Sequence, residues 1–220
     1  GQVTWDGELN PSAAHGVTTI ITGNCGVGFA PVRKGREDHL IRLMEGVEDI
    51  PGTALYEGMT WGWESFPEYM DVLRTRQWSM DVGVQLPHGP LRTFVMGDER
   101  SGGNEEASPD DVARLAREAM EAGAFGFTTS RTLGHLSSDG VPVPGTFADD
   151  DELFAIAKAV RDGGGRIFEV AMAGIVAHDD DAVTKRELDW IGTMAKETGL
   201  TATFIVLQHN QDPLRWRREM

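Results

Sequence analysis

Short runs of apolar and β-branched residues alternate along the chain with longer stretches in which apolar positions recur every three or four residues. The short runs occupy positions 17–22, 80–86, 125–130, 167–171 and 203–208. Each is nearly continuous in apolar side chains and bounded by glycine or polar turn residues, the pattern of strands covered on both faces. The stretches between them read as amphipathic helices. In the clearest, Ser108 suits the N-cap, Pro109 the first helical position, and Asp110 and Asp111 the positive helix end. Leu115, Ala119 and Ala122 keep the apolar spacing, and Gly123 stands in the C-cap place. Similar helices are predicted over 65–76, 149–161 and 184–198, the last closed by Gly199.

This repeat of strand, loop and helix predicts an α/β fold with a parallel sheet, either doubly wound or closed as a (β/α)₈ barrel. No G-x-G-x-x-G fingerprint follows the first strand, which disfavours the dinucleotide-binding form. Long segments after the strands, 23–63 and 131–147, are where barrel enzymes build their sites. About five of the eight strands of a TIM barrel are legible. Residues 1–220 are therefore expected to be an internal portion of one catalytic barrel, truncated at both ends: the chain opens at Gly1 and stops at Met220 as a helix begins.

Apolar residues make up 40% and charged residues 25%, which is globular composition rather than disorder. A net charge of -15 repels phosphate backbones and anionic lipid, so nucleic-acid and membrane partners are not expected. No apolar run approaches the roughly 20 residues of a membrane span. The single cysteine, Cys25, excludes an intrachain disulfide and fits a cytoplasmic setting.

Several polar residues stand at the ends of the predicted strands. Cys25 lies in Thr22-Gly23-Asn24-Cys25-Gly26, where flanking glycines allow a sharp turn; its thiol is either a metal ligand or nucleophile, or a small buried side chain. Glu169 sits inside the apolar run Ile167-Phe168-Glu169-Val170-Ala171, where a carboxylate needs a cation, either a metal or a neighbouring Arg or Lys. His209 and His88 follow strands and are candidate metal or substrate groups, or turn histidines satisfied by their own backbone. Arg131 suits a substrate carboxylate, with pairing to a local acid such as Asp139 as the alternative; His135 follows in the same loop. Trp61 and Trp63 read as core or lid packing. No G-x-S-x-G or H-E-x-x-H motif is present.

The run from Gly16 to Gly26, GVTTIITGNCG, resembles the metal-cysteine segment of the N-acyl-D-amino-acid deacylases (D-aminoacylases) of the amidohydrolase superfamily. Pro87-His88-Gly89-Pro90-Leu91-Arg92 and the stretch from Glu121 to Phe127 are similar to later landmarks of that family, in the same order. The resemblance implies a (β/α)₈ barrel binding one or two zinc ions, with Cys25 as a ligand. The opening Gly1-Gln2-Val3-Thr4-Trp5-Asp6 resembles the segment directly after the family's His-x-His motif, and the catalytic aspartate belongs to the last barrel strand. No catalytic residue is thus expected within 1–220.

The chain departs from that pattern where Phe168-Glu169-Val170 replaces a metal-binding histidine, and Gln208-His209-Asn210 only loosely matches the next one. The implied ligand set is Cys25, Glu169 and His209, with His88, Arg131 and His135 toward substrate. The implied activity is zinc-dependent hydrolysis of a non-peptide amide, a small N-acyl-D-amino acid or related compound. The alternatives are a cyclic-amide hydrolase and a barrel that has lost catalysis and serves as a binding scaffold.

Overall fold

Five strands, β1 (Thr19–Thr22), β2 (Asp81–Pro87), β3 (Gly126–Ser130), β4 (Ile167–Ala171) and β5 (Thr201–Phe204), run parallel in the spatial order β1-β2-β3-β4-β5. They belong to a computed structural model that describes residues 1–174, 181–207, 210 and 212–219. A doubly wound sheet reverses its strand order at a switch point. This order never reverses, so each connection adds the next strand on the same side, as in an incomplete (β/α)₈ barrel.

The sequence placed the last strand at 203–208, but pairing stops at the Val170–Phe204 register. β4 goes on one residue further, to Ala171, but Ile205, Val206 and Leu207 lie exposed and pair with no strand among the described residues. Hydrophobic pattern marks apolar residues; it does not mark where ladder pairing stops.

The long segment after β1 holds α1 (Glu37–Glu48), α2 (Gly52–Gly58) and α3 (Phe66–Arg74). Only α3 was expected. Ser65 and Glu68 form a reciprocal capping box at its start. Leu40, Ile41 and Leu43 give α1 its buried stripe, but Arg36 at its N-cap makes no side-chain cap, so the usual start signal is missing. Trp61 and Trp63 pack here with ring centres 5.3 Å apart and planes tilted by 44°, and Trp63 donates from Nε1 to the Phe29 carbonyl at 2.7 Å, as core packing.

After β2 come α4 (His88–Met96) and α5 (Asp98–Ser101), then α6 (Pro109–Glu121). The stretch from Pro87 to Arg92, read from sequence as a pinned loop, is the first turn of α4. Pro90 is tolerated there because first-turn amides have no intrahelical acceptor. α6 is capped as expected, with Ser108 Oγ accepting from Asp111 N at 3.3 Å. α7 (Asp150–Asp162) begins at Asp149, whose Oδ1 accepts from Glu152 N at 2.8 Å. α8 (Asp181–Thr198) and α9 (Trp216–Glu219) complete the described elements.

Strand alternation sorts the side chains. Phe127 and Phe168 face the helices and form a ladder of rings: His88 to Phe127 at 5.1 Å, Phe127 to Phe168 at 4.9 Å, and Phe168 to Trp190 of α8 at 6.2 Å. The neighbouring positions Gln85, Thr128 and Glu169 turn to the opposite face.

A closed polar network lies in the helix-facing layer. His88 is 0% exposed; Nε2 meets Glu152 Oε1 at 2.7 Å and Nδ1 meets Thr129 Oγ1 at 2.7 Å. The other Glu152 oxygen takes Arg92 Nη1, and Arg92 Nη2 donates to the Glu105 carbonyl at 2.6 Å. An ionised carboxylate only accepts, so Nε2 carries the proton and Nδ1 accepts from Thr129. Burial holds the His88 imidazole below its ordinary pKa against the pull of Glu152, and keeps it neutral. Burial also pushes the Glu152 carboxyl up, but His88 and Arg92 together bring it below the ordinary value.

Both shifts give the same sign of pH dependence. As pH falls below 6.5, an unfolded histidine takes up a proton that folded His88 refuses; below 4.5 the same holds for Glu152. Stability therefore drops with acid, by up to about 1.4 kcal/mol per pH unit for each group. Urea unfolding of the complete protein between pH 7 and 5 checks this: His88→Asn is expected to flatten the slope by about one proton. A second prediction concerns charge removal. Glu152→Ala leaves Arg92 buried without its partner and is expected to cost about 3–5 kcal/mol in the same assay at pH 7.

Candidate functional site

The residue after β1, Gly23, and the 3-10 turn Asn24–Gly26 fold across the C-terminal ends of the neighbouring strands. Two glycines make this possible. A Cβ on Gly23 would come within 2.8 Å of the Gln85 carbonyl oxygen, and one on Gly26 within 2.8 Å of Ser130 N. Gly26 N donates to Thr128 Oγ1 at 3.2 Å, tying the turn to β3. Between the glycines Cys25 is held at φ +64°, a left-handed conformation that costs a residue with a Cβ about 1 kcal/mol or more.

Cys25 is half-buried at this rim. Burial, then the charges of Glu48 and Glu169, push its thiol up to about 11. The same Glu48, the last residue of α1, opposes the burial that lowers the pKa of His135. His135 is half-buried, with Nδ1 on Ser130 Oγ at 2.8 Å. The charge of Glu48 thus reaches both Cys25 and His135, and that of Glu169 reaches Cys25.

Glu169 stands on β4 in register with Thr128, and its Oε2 accepts from Gln85 Nε2 at 2.7 Å. Gln85 is 1% exposed, and its Oε1 meets no hydrogen-bond donor among the described residues. Gly126, the register partner of Gln85, carries no side chain on the strand between them.

Two expected substrate groups lie apart from this mouth. His88 sits behind the strands with both ring nitrogens engaged, and Gly145 closes over it: a Cβ there would lie 2.5 Å from Nδ1. Arg131 is buried with its Nε shared between Glu187 Oε2 at 3.0 Å and Oε1 at 3.2 Å, and Nη1 on the Ala148 carbonyl at 2.6 Å. Its carboxylate partner is Glu187 of α8 and not Asp139, which pairs with Arg42 at 3.0 Å. His209 lies outside the described residues.

Sequence reasoning missed Glu48 and Gln85. Each left a trace. An acid at a helix C-terminus opposes the helix dipole, and an amide in an apolar strand needs a reason to be there.

Among the described residues no group of three or more His, Cys, Asp or Glu is arranged to hold a metal ion. Cys25 and Glu169 offer a sulfur and an oxygen donor, a chemistry that zinc accepts, and beside Glu169 the Gln85 Oε1 is buried with no donor among the described residues. By donor chemistry these residues fit part of a metal site. A cavity of about 440 Å³ between α1, α5 and the 137–144 loop is lined by His39, Arg42, Asp98 and Asp139, and not by Cys25, Gln85 or Glu169. Among the described residues no helix is long and apolar enough to cross a membrane.

Comparison with known proteins agrees with this architecture. A D-aminoacylase of Alcaligenes xylosoxydans xylosoxydans is 32% identical over 123 residues, 56% of this chain and 23% of that protein. An N-acyl-D-aspartate deacylase of the same organism is 25% identical over 187 residues, 83% of this chain and 33% of that one. An uncharacterized protein of Mycobacterium bovis is 31% identical over 77% of this chain and 29% of its own length. The chain thus spans between 23% and 33% of these relatives. The crystal structure of N-acyl-D-glutamate deacylase from Bordetella bronchiseptica, complexed with zinc and a phosphonate mimic of the tetrahedral intermediate, superposes with a TM-score of 0.67. It covers 97% of this chain and 40% of that one at 21% identity, a likeness of fold. The amidohydrolase family profile matches residues 1–219, and with the parallel half-barrel and its cysteine-bearing rim this places the chain in the amidohydrolase family.

Proposed function

We propose that the complete protein hydrolyses a non-peptide amide bond with the help of zinc, and that its substrate is an N-acyl-D-amino acid. The observation that carries this reading is the left-handed Cys25, held between two glycines in a turn over the strand ends that Thr128 anchors, in register with Glu169. The deacylase relatives favour the acyl-amino-acid substrate over a cyclic amide.

When bound, zinc polarises an amide carbonyl and lowers the pKa of a water molecule, making a nucleophile near neutral pH. In this reading Cys25 and Glu169 would hold the ion, with His209 as a further donor. Cys25 would do so as the thiolate, which is the ligating form. Glu169 contributes an oxygen while Gln85 holds its other one. His135 has Nδ1 committed to Ser130, which leaves Nε2 as the atom that meets substrate. Arg131 and His88, held by Glu187 and Glu152, would act on substrate only through the walls that they brace.

The test is metal analysis of the complete protein and its Cys25→Ala variant, with hydrolysis assays on N-acyl-D-amino acids, their L enantiomers and hydantoins. Zinc is expected in the wild type, with D-selective deacylation. The variant should lose metal and at least about two orders of magnitude in kcat/KM, since a lost outer-shell partner alone costs 10–100-fold. Unchanged zinc content and activity in Cys25→Ala would remove the thiol from the site. Activity only on hydantoins would move the substrate to the cyclic amides.

A further inference from the structure

Gln85 is the one residue in the middle of an otherwise apolar strand stretch, Val84-Gln85-Leu86, that turns a polar group inward, and that group is almost fully enclosed. Its amide is not interchangeable end for end. An ionised carboxylate offers no hydrogen, so the NH₂ must face Glu169 Oε2, 2.7 Å away, and the carbonyl oxygen is turned elsewhere. That oxygen meets no donor among the described residues. A buried acceptor is seldom left without a donor. The turn that carries Cys25 lies against the same residue: a Cβ on Gly23 would sit 2.8 Å from the Gln85 main-chain carbonyl oxygen and 3.2 Å from its Cβ. The glutamine therefore lies between the turn that presents the thiol and the carboxylate on β4, two strands away.

On the reading above, we infer that Gln85 is a positioning residue: it fixes the Glu169 carboxylate as a metal donor and reserves its own Oε1 for a donor that arrives with the ligand. Holding Oε2 leaves Oε1 of Glu169 as the oxygen for the ion, and it keeps the carboxylate from rotating. Hydrogen-bonded partners of ligating side chains set orientation and affinity in this manner. Sequence gives the pairing no local sign, since 84 residues separate the two. An ordinary core role would be served as well by leucine or methionine.

The experiment measures zinc affinity of the complete protein by competition with a chromophoric chelator, and the visible absorption of its cobalt(II) form. Wild type, Gln85→Leu, Glu169→Ala and the double variant are compared, with circular dichroism and thermal unfolding of the metal-free proteins. Gln85→Leu is expected to bind zinc about 10–100-fold more weakly and to shift the cobalt bands with unchanged helix content. In the Glu169→Ala background the same change is expected to cost nothing further, because Gln85 acts through that carboxylate. Should Gln85→Leu fold poorly, Gln85→Met, closer in shape to glutamine, gives the same comparison. Wild-type affinity and spectrum in a folded Gln85 variant overturn this inference alone, as does a full additional loss in the double variant. A wild type that takes up no zinc overturns the metal reading and this inference with it.

Discussion

The candidate site depends on a close approach of backbone to backbone. The turn after β1 can lie across β2 and β3 only because Gly23 and Gly26 lack a Cβ where one would meet neighbouring main-chain atoms at 2.8 Å. With the turn seated, Cys25 has no choice of backbone conformation; its φ of +64° is imposed by the glycines on either side. The thiol is placed by main-chain packing rather than by its own contacts. Glu169 enters the same neighbourhood from β4 through the register that sets it beside Thr128, whose hydroxyl also anchors the turn. One threonine thus links the strand that carries the carboxylate to the loop that carries the sulfur.

The other face of the same strands explains why this rim can be rigid. Thr129, one residue on from Thr128, points to the helices and holds His88, which with Arg92 closes on Glu152. Phe127 and Phe168 pack in the same layer, and Arg131 is bound to Glu187 at the end of β3. Buried ion pairs of this kind seldom add net stability, but breaking one is costly. They lock α4, α7 and α8 to the strands in one arrangement. The histidine and arginine that sequence assigned to substrate are then part of the frame, and the opposite face of the strands carries Gln85 and Glu169 beneath the Cys25 turn.

Much of the frame was legible in sequence because its signals are local. Ser108 and Pro109 announce α6, and the apolar runs announce the strands. Four strands of the five were placed to within about two residues; the fifth, Thr201–Phe204, starts two residues earlier and stops four earlier than its apolar run. Cys25 and Glu169 stood out for the same local reason, a sulfur between glycines and a carboxylate among hydrocarbon. What was not legible is long-range pairing. Arg131 has acids close by in sequence, but its partner lies 56 residues on; Glu152 lies 64 from His88; Gln85 lies 84 from Glu169. Nothing in the spacing of Pro87-His88-Gly89 distinguishes a histidine held in a loop over the mouth from one at the start of a helix behind it.

The electrostatics of the rim carry the last step. Burial is the first cause that raises the Cys25 thiol; Glu48, exposed at the end of α1 where the helix dipole already disfavours a negative charge, and Glu169 add to it. A cation bound beside the thiol would offset both effects, since metal binding favours the thiolate. The unsatisfied Gln85 oxygen has the same sense, an acceptor kept in the interior for a donor that the described chain does not itself supply. The glycine turn holds Cys25 at the strand ends by main-chain packing, so the thiol keeps that place whatever charge stands beside it.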